Sequence, residues 1–265
     1  MSSIQPISRA RHAGLRWNRN DSYNFSSGRN LVALAAAELL RAALSLPMTF
    51  VEQGGQWSLC ALLGLAPGQN LYVGPDGRWI GSYIPATLRA HPFHLGWEGV
   101  NATLSLDEDS GLLFDDGSGE PIFDTSGDLS EPVRKVWSFL SATAESLLAL
   151  EAACRVLAEV GVVVPWPITL QGTDGTHTVS GLFQIDEAAL NALDDEAFGR
   201  LRRAGVLGVA YAQLLSMGNL ADLGKLAQAR AEFEAAERAR AEVKPMMTLP
   251  DDSTIDWDWS KVGKT

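Results

Sequence analysis

The sequence has little of the residues from which active sites are most often built. Among 265 residues there are two cysteines and four histidines. Two cysteines exclude a disulfide framework, and each sits in an apolar run, WSLCALL around Cys60 and EAACRVL around Cys154. That setting predicts buried free thiols and, as the simplest compartment, a reducing cytoplasm. No Lys or Arg occurs from Ala90 to Val133, a span with ten acids, and the net charge is −11. Only the first thirty residues are basic, with Arg9, Arg11, Arg16, Arg19 and Arg29 against Asp21. A nucleic acid partner calls for the opposite field and is not expected. Long apolar runs are missing too. The best, LVALAAAELLRAALSL at 31–46, is interrupted by Glu38 and Arg41 and starts too far along for a signal peptide core. It predicts an amphipathic helix with those two residues paired on its wet side, and no membrane span.

Catalytic signatures are equally scarce. Ser216 in LLSMGN lacks the glycine-flanked elbow of a hydrolase nucleophile. GSG at 117–119 has no following Lys-Ser/Thr to make a phosphate loop. DEDSGLLFDDG puts apolar residues where a calcium loop needs oxygen ligands, so its acids are expected to serve turns. Nothing in the spacing of His12 or His177 names a partner for acid–base work. No cofactor is expected.

What is present describes an ordinary globular chain: 46% apolar, 20% charged, and rich in tryptophan, with eight. Residues 1–28 read as a loosely ordered segment, 29–244 as one domain beginning with a helix at about 29–46, and 245–265 as an acidic aromatic tail. NLYVGPDGRWIGSYI at 70–84 reads as a hairpin, and short strands separated by Asp/Gly turns continue to about 125. Ser130 and Pro132 announce a helix to about Val160. VVVPWPITL reads as an edge strand leading to a hairpin around TDGTH, and Asp186 and Asp194 read as caps of two short helices. A longer helix should start near Val206, and its continuation to Lys244 balances five positive against five negative charges, the pattern of a solvated helix. Runs of strands followed by runs of helices predict an α+β fold: an antiparallel sheet from the middle of the chain, an N-terminal helix and a helical C-terminal region.

Three blocks in order, GRNLVALAAAELLRAALSLPMTFV, LLGLAPGQNLYVGPDGRWIGSYIPATLRAHPF and SGLFQIDEAALNALDDEAFGRLRRAGVLGVAYAQLLSMGNL, resemble the SapC family, and PISRARHAGL resembles its opening. The family takes its name from surface-array (S-layer) proteins, and its members are often encoded near tryptophan halogenases, cupin-type proteins and TonB-dependent receptors. The resemblance carries over no catalytic residues. Together with the lack of a convincing nucleophile, metal set or cofactor loop, it points to a non-enzymatic, soluble component that binds a protein or peptide in a cell-surface or uptake system. The alternative it implies is a peptide-modifying enzyme or an accessory subunit of one.

The stretch AHPFHLGWE holds the sharpest chemical question. His91, His94 and Glu98 are metal-ligand types, but their spacing suits a helix that Pro92 forbids. The corresponding family block has an aromatic residue at the place of His91. A bend that sends Phe93 into the core is therefore the preferred reading. Binding residues are expected instead among the aromatics Trp79, Tyr83, Trp97 and Trp166, and in the tail, where alternation puts Trp257 and Trp259 on one face to dock on the body or on a partner.

Overall fold

The longest element is the one the sequence marks most clearly. Pro132 stands in the first turn, where its missing N–H is harmless, and the helix runs Glu131–Glu159 until Gly161, at φ 81°, turns the chain away. Ser130 precedes it as foreseen, although its hydroxyl donates to the Pro121 carbonyl at 2.6 Å instead of capping the helix. This computed structural model describes residues 3–98, 101–172 and 175–242. The chain divides into two units, Met1–Ala227 and Gln228–Thr265. The described part of the second is helical, with the side chains of residues 231–240 solvent-exposed, and the tail carrying Trp257 and Trp259 lies outside the described residues.

The fold is α+β, built from several antiparallel sheets. A five-stranded sheet runs in the order Val163–Pro165, Phe183–Ile185, Met48–Gln53, Gln56–Leu62, Leu31–Ala33. Pro165 sits on its edge strand, where no ladder bond is lost on the outer side. A three-stranded sheet orders Ile4–Pro6, Asn101–Asp107, Phe93–Glu98. A smaller one sets Arg16–Trp17 between Leu113–Phe114 and Glu120–Pro121. The hairpin expected around TDGTH appears as Ile168–Gly172 against Gly175–Val179. Asp186 and Asp194 cap their helices, accepting from Ala189 N–H at 3.0 Å and Ala197 N–H at 2.8 Å, and Gly205 at φ 72° ends the second.

Four expectations need correction. The helix at 29–46 shrinks to Leu39–Ala43, preceded by a strand and a 3-10 turn, because Leu31–Ala33 pairs with Cys60–Leu62 at the edge of the large sheet. Glu38 is not on a wet face paired with Arg41. It is buried and accepts hydrogen bonds from Ala35 N–H, Ala86 N–H and the Tyr83 hydroxyl. The segment 70–84 folds back on itself through Val73 opposite Trp79 and a Gly74–Arg78 turn, yet forms no extended pair of strands. The segment 1–28, read as loose, contributes two of the sheets' strands and the helix Arg9–His12.

Two hydrophobic clusters share the long helix. Its first half gives Val133 and Leu140 to a cluster with Trp17, Phe93, Leu104, Leu106 and Ile122. Its second half gives Leu150, Cys154 and Leu157 to the larger cluster beneath the five-stranded sheet and the C-terminal helices.

Candidate functional site

The hairpin Phe93–Glu98/Asn101–Asp107 has two faces with different chemistry. Side chains alternate along a strand, and the register sets Phe93 opposite Leu106, Leu95 opposite Leu104 and Trp97 opposite Ala102. That face packs against the long helix; Phe93 is buried and meets the edge of Trp17 at 4.7 Å between centroids. The bend at His91-Pro92, with a cis peptide bond, thus delivers Phe93 to the core as expected. The other face carries His94 opposite Ser105, with Asp107 two residues on.

His91 comes from the turn before the strand and joins this second face. Its ring lies flat against Phe25 at 3.9 Å. A ring nitrogen from each of His91 and His94 and a carboxylate oxygen of Asp107 all lie within 4.8 Å of one another. His91 Nδ1 and His94 Nε2 are buried with no hydrogen-bond partner among the described residues. Burial pushes His91 down to about 4 and lowers His94, in both cases against the upward pull of Asp107. Both rings are therefore neutral near pH 7 and keep a lone pair for an acceptor role. Asp107 is buried and held by an Asp109 N–H bond at 3.2 Å. Glu98 is at the far end of the strand, and its side chain lies outside the described residues.

Beside His91 opens a cavity of about 250 Å³ whose lining includes Trp17, Arg19, Asn20, Arg89 and Lys135. Trp17 Nε1 and Asn20 Nδ2 are buried donors without a partner among the described residues, and the lining contains no carboxylate. Donors and cations of this kind suit a small anion.

A larger groove, about 650 Å³, lies along the outer edge of Asn101–Asp107. Ile7, Leu104, Phe123, Leu129 and Trp137 form its apolar walls, with Arg9 and Arg134 also lining it. Ile4–Pro6 covers this edge only as far as Ser105, and Ile7 N–H reaches the Leu104 carbonyl at 2.8 Å. Odd-numbered residues of the strand bond inward, as Asp107 N–H does to the Pro92 carbonyl, so Ala102 turns its N–H and C=O to the open edge. Trp97, the cross-strand partner of Ala102 on the same face, is 62% exposed.

The other aromatics named from sequence are mostly structural. Trp166 is buried, Trp79 stacks on Tyr72 at 5.4 Å, and Tyr83 is tied to Glu38. His12 is fully buried and meets Glu108 at 3.1 Å; the side chain of His177 lies outside the described residues. Ser216 is buried between the Gln213 carbonyl and Met48 N–H. Asp116 and Asp124 accept from Ser118 and Ser126 two residues on, as turn-forming acids do. Asp107 was the missed member of the histidine cluster. Pairing HLGW with the following NATLSL as one hairpin would have set it diagonally across from His94.

These features define an α+β protein with an exposed strand edge and a partly buried two-histidine, one-carboxylate cluster. The chain belongs to the SapC family, whose model matches residues 7–223. No curated protein and no solved structure matches it.

Proposed function

We propose that this SapC-family chain is a non-enzymatic binding protein that captures an extended peptide segment of a partner protein. The observation that carries the reading is the open edge at Ala102 beside the apolar groove. A peptide adding itself as a strand gains main-chain hydrogen bonds at Ala102, and alternate apolar side chains enter the groove or lie on Trp97. The residues that could have served as nucleophiles support binding over catalysis: Ser216, Cys60 and Cys154 are all buried in packing. The surface-array origin of the family name supports a partner in a cell-surface or nutrient-uptake system, and fractionation of cells with an antibody checks that setting.

The test is a selection of displayed random peptides on the immobilised full chain, followed by affinity measurement of the enriched sequences. Ala102→Pro removes the outward N–H at an edge position that tolerates proline, and Trp97→Ala removes the exposed ring. Enriched apolar, extended peptides that lose tenfold or more with Ala102→Pro and several-fold with Trp97→Ala, at unchanged melting temperature, support the proposal. Peptides that bind both variants as tightly as the parent overturn it, as does a selection that enriches nothing.

A further inference from the structure

We propose that His91, His94 and Asp107 form a binding site for one divalent transition-metal ion of the zinc or ferrous class. This site is independent of the peptide groove. The donor atoms already converge within 4.8 Å, and small side-chain rotations bring such a trio to the metal–ligand distances of about 2.0–2.2 Å that these ions require. The orphaned nitrogens carry the argument furthest. His91 is 93% buried by its 7% relative exposure, yet its Nδ1 has no partner among the described residues, and neither does His94 Nε2. A buried polar atom left unpaired is unfavourable, and a bound cation satisfies both nitrogens at once. A merely structural His–Asp pair would instead show one ring donating to the carboxylate, and no such bond is made by either orphaned atom.

The surroundings fix the ligands as metal sites require. Phe25 clamps the plane of His91, the strand register fixes His94, and the Asp109 N–H orients the carboxylate of Asp107. Both imidazoles are held neutral by burial, the protonation state that ligates. Two nitrogens and one oxygen favour zinc, iron, cobalt or manganese over calcium or magnesium, which seek all-oxygen shells. Asp107 supplies the compensating negative charge, while Arg29, whose field reaches both rings, weakens the attraction. Three protein donors leave further coordination positions for water or a ligand atom.

The experiment uses the untagged full chain, stripped with chelator and then titrated with Co²⁺ as a spectroscopic stand-in and with Zn²⁺ by calorimetry. Saturation near one ion per chain, with ligand-field absorption of a nitrogen–oxygen site, is the expected result. His94→Ala and Asp107→Asn should each weaken binding at least about tenfold with circular dichroism unchanged; neither removes a hydrogen bond made by a histidine ring, and Asn keeps an acceptor for Asp109. Absence of Co²⁺ absorption and of Zn²⁺ heat in the parent overturns the proposal. Equal binding by the parent and a folded His94→Ala/Asp107→Asn double variant also overturns it, by locating the ion elsewhere.

Discussion

The hydroxyl of Tyr83 and the backbone N–H of Ala86 each donate a 2.7 Å hydrogen bond to the same carboxylate oxygen of Glu38. The second oxygen accepts from Ala35 N–H at 2.8 Å. One buried acid thus joins the turn after the edge strand to the segment leading into His91.

Removing that acid should be costly. Glu38→Ala leaves two buried N–H groups and a phenol without their acceptor, at about 1–3 kcal/mol for each buried group, so a loss of roughly 3–5 kcal/mol is expected. Glu38→Gln keeps one acceptor oxygen and should lose about half as much. Urea denaturation of the three proteins measures both. Equal stability of parent and Glu38→Ala would show that water replaces the carboxylate.

Alkaline stability should depend on two tyrosines. Burial first, and then the Glu38 carboxylate, pushes Tyr83 up to about 12; burial first, and then the charge of Asp222, does the same for Tyr72. The unfolded chain loses these protons near the ordinary value of 10 and the folded chain retains them to about 12. The folded state then binds more protons, so this contribution is intact below pH 10 and is lost as pH rises toward 12. Thermal melts across that window should show a falling midpoint, and the double variant Tyr72→Phe/Tyr83→Phe should show a shallower fall than the parent.

The thiols should be inert while the chain is folded. Burial raises Cys60 and pushes Cys154 up to about 12, and both side chains are buried. A thiol reagent at neutral pH should therefore label neither in native protein and both after denaturation. Rapid labelling of Cys60 under native conditions would reveal an opening of the five-stranded sheet at Cys60, where it pairs with Ala33 and Thr49.

Local signals were legible where the chain supplies its own partner. Pro132, Asp186, Asp194 and Gly205 act within a few residues of themselves, so their sequence context carried the long helix and the two short ones to their observed places. Leu31–Ala33 misled because its alanine-rich neighbourhood has helical periodicity, while its actual partner, Cys60–Leu62, lies nearly thirty residues away. Glu38 misled for the same reason, since Tyr83 and Ala86 are 45 and 48 residues distant. At the histidines, ligand types and bend were visible, but the carboxylate that completes the cluster sits across a strand pairing. Helical spacing pointed to Glu98; the sheet register points to Asp107.

The helix Glu131–Glu159 is roughly 44 Å long at 1.5 Å per residue, and it is rooted in both hydrophobic clusters. Neither cluster can shed it without exposing apolar surface in the other. The two halves of the first unit are therefore expected to melt in a single cooperative step, and calorimetry should show one heat-absorption peak across it. Occupancy of the groove at Trp137 has the same reach. A bound segment there braces the helix at one end, so amide hydrogens near Cys154 at the other should exchange more slowly, and binding becomes readable at a distance from the place where it happens.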